Sequence, residues 1–279
     1  MTSASGIGRD AKDAARRAAG SPWLQRLAQL GLIARGLIYV LIGWLALQIA
    51  LGHSGAQADR GGAVRAIAAK SYGAGLLWLL ALGFAGLALW RFSEVAFGPA
   101  DGEDGKGERA QSFARALLYT GFAVTTATFV LGTSSSAGAN SNHQSVDATA
   151  KFMKHTGGRL AIGVVGLVLI GIGGFMAYEG LKKKFEKHLK LGEMSPRTRK
   201  VVEKLGMYGG LSRGVVFALA GVFIVAAAVT FDPAKAKGLD GTLRTFADSP
   251  LGPFLLAAVA LGLVAFGVYS MCEARWRKV

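Results

Sequence analysis

Six long stretches of this chain contain no Asp, Glu, Lys or Arg, and they constrain its fold more than any other feature. All are rich in apolar residues, and a helix needs about 20 such residues to cross the hydrocarbon layer of a membrane. Backbone polar groups in lipid must be hydrogen-bonded internally, which a helix achieves within one segment. The alternation typical of a membrane β-barrel is absent. Six transmembrane helices are therefore predicted, within residues 36–58, 71–90, 116–146, 160–178, 214–231 and 249–272.

The charge of the chain fits the same interpretation. The formal net charge is +15, which taken alone would suggest a nucleic-acid partner. The basic residues lie between the apolar stretches, however, and charged residues make up only 18 % of the chain. Of the 32 Lys and Arg residues, 23 fall on one side of the predicted helices and 9 on the other. By the positive-inside rule, this bias predicts a multi-pass protein of a bacterial cytoplasmic (inner) membrane, with both termini in the cytoplasm and no nucleic-acid partner.

A three-fold internal repeat organises the six predicted helices. The first helix of each pair begins at an Arg followed four residues later by an aromatic residue, and the second ends at an aromatic residue followed four residues later by a Glu. The end charges are Arg35, Arg115, Arg213, Glu94, Glu179 and Glu273. Their aromatic partners are Tyr39, Tyr119, Phe217, Trp90, Phe175 and Tyr269. Two spans per unit keep all units in one orientation, as in parallel repeats related by an axis along the membrane normal.

The predicted fold class is therefore an all-α integral membrane protein of six transmembrane helices. These form three parallel helix-pair repeats with pseudo-three-fold symmetry about the membrane normal. A short amphipathic helix is expected at the outer interface in each outer loop, near residues 63–72, 146–156 and 239–247. The segments are a basic cytoplasmic amino-terminal segment (1–26), repeat one (27–97), a Gly/acidic linker (98–110), repeat two (111–185), a basic cytoplasmic loop (186–204) and repeat three (205–279). For the basic amino-terminal segment we expect either an amphipathic helix that lies on the membrane surface or disorder.

The repeat resembles a bacterial family called domain of unknown function 1206. The resemblance rests on Ala or Ser, Arg, then Gly or Ala at the start of each pair, followed by two apolar residues and Tyr or Phe, and on Glu-Ala-Arg-Trp-Arg at 273–277. It implies repeated pairs of transmembrane helices over nearly the whole chain. The resemblance implies no activity and assigns no functional residue.

The six end charges are predicted to form one layer near the inner interface, because each Arg and each Glu lies at the same end of its pair. The planar guanidinium suits bidentate pairing with a carboxylate, so we expect this layer to clamp the bundle, within or between repeats. Two alternatives stay open: the side chains reach the lipid headgroups, or they gate an ion or solute path.

Glycines in the second helix of each pair predict close helix packing at the centre of the bundle. A pore lined by glycine backbone is the alternative. These glycines are Gly83, Gly86, Gly163, Gly166, Gly171, Gly173, Gly174 and Gly262.

No pattern in the chain predicts catalysis, a metal site or a cofactor, so we do not expect an enzyme. His53, His143, His155 and His188 all lie outside the spans, whereas haem between helices requires a ligand within one. Cys272 precedes an acidic residue, which disfavours a reactive thiolate. The spans also lack the mid-membrane carboxylates that are usual in proton-coupled transporters.

A Lys-rich segment after the fourth span is the candidate contact with anionic lipid, since each charge near the surface contributes about 1 kcal/mol. Its residues are Lys182, Lys183, Lys184 and Lys187. A topology signal alone is the alternative. The leading functional hypothesis is a non-enzymatic scaffold or accessory subunit that binds membrane lipid or another membrane protein. The alternative is a channel or transporter for a small solute or ion, with its pathway on the pseudo-three-fold axis.

Overall fold

The structure, a computed structural model, describes residues 22–53, 55–98, 106–247 and 251–277. Within them are nine α-helices. The six long ones are α1 (Pro22–Ala50), α3 (Gly73–Phe97), α4 (Lys106–Val130), α6 (Gly158–Leu181), α7 (Pro196–Thr230) and α9 (Gly252–Trp276). The short ones are α2 (Arg60–Ala68), α5 (Ser141–Met153) and α8 (Leu239–Ala247). Each long helix is long and apolar enough to cross a membrane, which confirms the six predicted spans.

The amino-terminal segment is predicted as a surface helix or as disorder. Its residues 1–21 lie outside the described part of the chain. Much of the predicted Gly/acidic linker also lies outside them, at 99–105. Each outer loop contains a short helix near the predicted position, and the placement of these helices at the membrane interface stays a prediction.

Helix α7 is much longer than the span predicted at 214–231. Its 35 residues extend for about 52 Å, whereas the hydrocarbon layer is about 30 Å thick. The helix begins where Ser195 accepts a hydrogen bond from the backbone of Thr198 and Pro196 occupies the first turn. Exposed Arg199 then pairs with Glu203 one turn later. A span predicted from the absence of charged residues excludes this polar first part of α7. The capping residues Ser195 and Pro196 nevertheless favour a helix there.

The six long helices pack side by side in the order α6, α7, α9, α1, α3, α4, and each neighbour runs antiparallel to the next. All first helices of the repeats therefore begin at one end of the bundle, which we call the basic end. The opposite end, closed by the loops within the repeats, is the loop end. Among the described residues, α4 and α6 make at most marginal contact, so the row is open on that side. A closed pseudo-three-fold bundle is thus not confirmed.

Glycines fix the two tightest interfaces of the row. A methyl group added to Gly36 of α1 would lie 2.6 Å from the carbonyl oxygen of Gly267 in α9, and one added to Gly43 would lie 2.7 Å from that of Ala260. Side chains larger than hydrogen would push these backbones apart. Close backbone approach of this kind is how membrane helices associate without a hydrophobic driving force between them.

The same packing recurs between α6 and α7, at the repeat-equivalent positions. A methyl group on Gly214 would lie 2.5 Å from the carbonyl oxygen of Gly173, and one on Gly221 would lie 2.6 Å from that of Gly166. Gly214 and Gly221 follow Gly36 and Gly43 by 178 residues each, the spacing that relates repeats one and three. Internal repetition in the sequence is therefore matched by repetition of helix contacts.

The third interface of this type, between α3 and α4, is built differently. The position equivalent to Gly36 is Ala116, which is fully buried. Aromatic rings carry the contact: the Phe84 ring lies 5.6 Å from that of Phe122, and the Phe92 ring lies 6.4 Å from that of Phe113. Repeat two has thus diverged in packing as well as in sequence.

The glycines predicted to pack centrally do so unequally. Added methyl groups at Gly83, Gly86 and Gly262 would approach a neighbouring helix closely, and α3 and α9 lie inside the row. Gly171 and Gly174 of α6 meet nothing within 4 Å, because α6 lies at the edge and buries only one narrow face. Central placement of all three second helices is therefore wrong for α6.

The three loops interlock at the loop end. Asp59 begins α2 by accepting a 2.8 Å hydrogen bond from the backbone of Gly62, and its other oxygen accepts from the backbone of Ser141 at 2.7 Å. Asp240 of α8 accepts from the backbone of Ala58 at 2.9 Å and from the Asn140 amide at 3.2 Å. Each loop is thereby bonded to both others, and the two carboxylates are 1 % and 3 % exposed.

Candidate functional site

Four arginines and two glutamates come together at the basic end, where α1, α3, α4 and α9 meet. We call this group the arginine cluster: Arg35, Arg91, Arg115, Arg277, Glu94 and Glu273. Four of the six predicted end charges belong to it. They come from all three repeats, because the row places α1 beside α9 and α3 beside α4.

Glu273 is shared by two arginines from different parts of the chain. Arg35 pairs with one of its oxygens, and Arg277 donates to the other at 2.6 Å. Arg35 also donates through Nε to Ser270 at 2.8 Å, and Ser270 in turn donates to the backbone of Leu32 at 2.9 Å. The first and last long helices are thus joined by a buried ion pair and by hydrogen bonds.

Glu94 is hydrogen-bonded by two residues of its own neighbourhood, both through one oxygen, Oε2. It accepts a 2.6 Å hydrogen bond from Arg91, one turn earlier on α3, and a 2.7 Å hydrogen bond from the Ser112 hydroxyl on α4. Trp90 lies beneath the cluster, with its ring 4.3 Å from the Arg91 guanidinium and 4.8 Å from that of Arg277. Such stacking of a cation on an aromatic face is favourable where water is excluded.

Arg115 makes neither an ion pair nor a hydrogen bond with the residues that the structure describes. It is partly buried on α4, and it interacts electrostatically with three like charges, those of Arg91, Arg277 and Arg35, and with the Tyr119 side chain, which acts in the opposite direction. In addition, the Nε atom of Arg91 is buried without an acceptor. The cluster therefore contains four cations and two anions.

The remaining predicted end charges, Arg213 and Glu179, are not members of the cluster, although Arg213 shares the Phe266 ring with Arg35. Arg213 stacks on Phe266, with 4.0 Å between the guanidinium carbon and the ring centre, and on Tyr39 at 5.0 Å. Its Nε is buried without an acceptor. Glu179 is partly buried on α6 and forms no ion pair among the described residues. Among the described residues, Arg35 is the only one of the three arginines at the starts of the helix pairs that forms an ion pair with a predicted Glu.

The aromatic partners of the end charges also differ in environment. Trp90 and Tyr269 are 3 % and 4 % exposed, whereas Phe175 is 48 % exposed on the open face of α6. Tyr39 packs edge-on against Phe266 at 4.7 Å. Tyr119 stacks on Phe84 at 6.4 Å. Phe217 is partly buried on α7.

The Lys-rich segment folds back beneath α7 and α9. Lys183 lies 3.1 Å from Glu203, and the Lys184 ammonium lies 4.7 Å from the Tyr178 ring centre. Lys182 and Lys187 are exposed. The following Leu189 is 2 % exposed and caps a small apolar group under α9. Part of this segment therefore has a structural contact in addition to any contact with lipid.

Arg60 at the loop end was assigned by the sequence to an outer loop, yet its side chain enters the bundle. One terminal nitrogen donates to three acceptors on α4, the backbone of Phe122 (3.0 Å) and the hydroxyls of Thr125 (3.0 Å) and Thr126 (2.8 Å). The guanidinium also stacks on Phe122 at 4.1 Å. Burial lowers the pKa of Arg60 to about 10, against the opposing charge of Asp59, so the group stays protonated at neutral pH.

Arg60 lines a cavity of about 870 Å³ along α4, which we call the α4 groove. The other residues of the groove are Ala114, Leu117, Leu118, Gly121, Phe122, Thr125, Ser136, Ala139 and Gln144. A second cavity of about 580 Å³ lies at the loop end and is lined by Leu45, Gln48, Gly52, His53, Gly55 and Ala56. No residue of the arginine cluster lines either cavity.

The described residues contain no group of three or more His, Cys, Asp or Glu that could hold a metal ion. Sequence reasoning missed Arg91, Arg277, Ser112 and Ser270 in the cluster. Arg91 directly follows Trp90, and Arg277 follows Glu273 by one helical turn, so the spacing to the end marks was an available signal. Nothing in the sequence around Arg60 signals its entry into the bundle.

Comparison with known proteins gives a consistent result. The family described as Domain of Unknown Function (DUF1206) matches the chain three times, over residues 30–98, 110–183 and 208–277. An uncharacterized protein of Bacillus subtilis (strain 168), YxxB, is similar to the chain, with 27 % identity over 255 residues that cover 90 % of each. No solved structure matches.

Proposed function

Because this chain belongs to the family Domain of Unknown Function (DUF1206), whose description assigns no activity, we propose its function from geometry alone. The protein is a non-enzymatic scaffold of the bacterial inner membrane that binds the anionic headgroup of a membrane lipid at its arginine cluster. A single observation carries this proposal: four clustered arginines share only two carboxylates.

The arginine cluster has an excess of positive charge. A buried cation without a partner is strongly unfavourable, so buried arginines are normally matched by acids. Glu94 and Glu273 already accept from Arg91, Arg35, Arg277 and the Ser112 hydroxyl. A phosphate-type anion supplies the missing acceptors, and guanidinium groups bind such anions with bidentate geometry.

The position of Arg115 supports access from lipid. Helix α4 is at the edge of the row, and its outward residues Phe113, Leu117 and Leu118 are each about half exposed, at 47 %, 53 % and 59 %. Arg115 lies among them at the basic end. A lipid beside α4 therefore brings its headgroup to Arg115, which has no acceptor among the residues that the structure describes.

The charge bias of the loops supports a cytoplasmic location for the basic end, with both termini inside. Anionic lipid in that leaflet is attracted by basic segments next to the membrane. Exposed Lys182 adds to the attraction at the neighbouring edge of the row, whereas Lys183 is held by Glu203.

The repeated packing supports a pseudo-three-fold arrangement in which each second helix packs on the first helix of the next repeat. The same rule joins α3 to α4, α6 to α7 and α9 to α1. The gap between α4 and α6 interrupts the circle. A continuous apolar core that includes Leu32, Phe84 and Leu263 fills the space between α1, α3 and α9, which favours a scaffold over a solute pathway.

The experiment compares lipid retention by two variants in detergent extracts, using native mass spectrometry. Arg115→Gln removes the unpaired charge, and Arg197→Gln removes an exposed charge on the first turn of α7 as the matched control. We expect wild type and Arg197→Gln to retain phosphatidylglycerol in preference to phosphatidylcholine, and Arg115→Gln to lose about tenfold of that preference. Equal retention by all three proteins, or rapid solute flux through protein-containing liposomes, contradicts the proposal.

A further inference from the structure

The α4 groove contains a partly buried cation that forms no ion pair among the described residues. Arg60 forms no ion pair with the residues that the structure describes, and its Nε atom is buried without an acceptor. The adjacent Asp59 does not serve this charge as an acceptor, because its oxygens accept from Gln57, Gly62 and Ser141. The hydrogen bonds of Arg60 to α4 all use one terminal nitrogen and neutral acceptors, so among the described residues only the neighbouring charge of Asp59 opposes that of Arg60, without a direct contact.

The rest of the groove is apolar. Ala114, Leu117, Leu118 and Gly121 extend toward the basic end along about 10 Å of helix axis. Leu117 and Leu118 are more than half exposed, and a methyl group added to Gly121 would meet nothing within 4 Å. The cavity volume of about 870 Å³ lies in the range of small-molecule sites, which combine an apolar lining with a few placed polar groups.

Polar groups gather only at the Arg60 end. Thr125, Ser136 and Gln144 line the groove beside the guanidinium, and Phe122 lies flat against it. The two ends of the groove therefore differ in chemistry: one offers a cation with hydroxyl and amide groups, and the other offers aliphatic surface. That polarity matches a molecule with an acidic head and an alkyl chain.

We propose that the α4 groove binds a single alkyl chain bearing an oxyanion, with the oxyanion at Arg60 and the chain along Leu117, Leu118 and Gly121. The carboxylate of a free fatty acid and the phosphate of a membrane lipid share this chemistry. The anion end of the groove lies at the loop end of α4, apart from the arginine cluster, whose residues do not line the groove. The alkyl path shares Leu117 and Leu118 with the lipid-facing surface beside Arg115.

Two variants separate the roles of the two ends. Arg60→Gln removes the cation and retains hydrogen-bonding capacity, whereas Gly121→Leu fills the alkyl path without altering Arg60. Gly171→Leu on α6 is the matched control, because Gly171 also faces open space on an exposed helix face with nothing within 4 Å. Gly121→Leu and Gly171→Leu introduce the same side chain into equivalent surroundings, so both are expected to fold.

The full-length protein, purified in detergent, is titrated with dodecanoate, dodecanol and short-chain phosphatidylglycerol, and the bound species is identified by native mass spectrometry. We expect wild type and Gly171→Leu to bind dodecanoate at least tenfold more tightly than dodecanol. Both Arg60→Gln and Gly121→Leu are expected to lose that binding, whereas Arg115→Gln retains it.

The titration with phosphatidylglycerol identifies the source of the oxyanion. Competition between phosphatidylglycerol and dodecanoate at the wild-type site supports a lipid phosphate as the natural head, and the absence of competition supports a free carboxylate. Equal binding of dodecanoate and dodecanol overturns the proposal, as does unchanged dodecanoate binding by Gly121→Leu. Loss of headgroup selectivity in Arg115→Gln with intact dodecanoate binding keeps the two sites distinct.

Discussion

The α1/α9 and α6/α7 interfaces are two copies of the same glycine packing, and they differ in the contacts of their charged residues at the basic end. Both bring glycines against a facing backbone at equivalent positions, Gly36 on Gly267 in one and Gly214 on Gly173 in the other. At the basic end of the first copy, Arg35 pairs with Glu273. At the same place in the second copy, Arg213 stacks on aromatic rings and Glu179 stays apart.

The comparison separates what the repeat needs from what one site adds. Close backbone packing is present in both copies, so it is the feature that defines the helix pair. The ion pair is present in one copy, so the fold does not require it. The charges at the basic end are therefore a feature of the place where α1, α3, α4 and α9 meet. We propose that a ligand binds there.

The largest expected effect comes from removing the shared carboxylate. Glu273→Gln leaves Arg35 and Arg277 without their anion, and loss of one partner of a buried pair costs about 3–5 kcal/mol. Glu179→Gln, the equivalent change in the other copy, is expected to leave the free energy of unfolding nearly unchanged, because Glu179 forms no ion pair among the described residues. Denaturation in detergent micelles, followed by circular dichroism, measures both. Similar losses for the two variants would remove the distinction between the copies.

A smaller effect tests whether the backbone packing is truly equivalent. Gly36→Ala and Gly214→Ala would place a methyl group 2.6 Å and 2.5 Å from a facing carbonyl oxygen. Overpacking of this kind costs about 1–3 kcal/mol, and the two variants should lose similar amounts. Gly171→Ala, which faces open space, is expected to be neutral or stabilising by less than about 1 kcal/mol, since Ala favours a helix. A large difference between Gly36→Ala and Gly214→Ala would contradict the equivalence.

The smallest effect concerns the stacked arginine of the second copy. Arg213→Met replaces a buried guanidinium whose Nε lacks an acceptor with an apolar side chain of similar length. The lost stacking on Phe266 is worth about 0.5–2 kcal/mol, and relief of the unpaired buried group offsets it. We expect the free energy of unfolding to change by less than about 1 kcal/mol in the same assay. A loss as large as that of Glu273→Gln would show that Arg213 has a necessary acceptor.

Much of the fold was predictable because its signals are local. Charge-free stretches identify spans, and the Arg and Glu marks identify repeat units, without knowledge of which helices touch. Pairing was not predictable, since Arg35 meets Glu273 only through the contact of the first helix with the last, 238 residues away. The same long-range arrangement leaves α6 at an edge, where its glycines face open space.

The candidate site was predictable only in part for a related reason. Arg35, Arg115, Glu94 and Glu273 were selected by their repeated spacing, whereas Arg91 and Arg277 occur once and carry no repeat signal. Arg60 was placed in an outer loop because it precedes a short polar helix. Its side chain turns inward because α4 offers Thr125, Thr126 and a backbone carbonyl at that depth, and those acceptors lie more than 60 residues away.

The contact between α1 and α9 has a consequence for biosynthesis. The ribosome delivers α1 about 200 residues before α9, an interval on the order of 10–40 s at ordinary elongation rates. During that time Arg35, Gly36 and Gly43 are in the bilayer without the helix that later covers them. A nascent chain that stalls before the last hairpin thus keeps Arg35 without Glu273, the carboxylate with which it pairs in the folded protein.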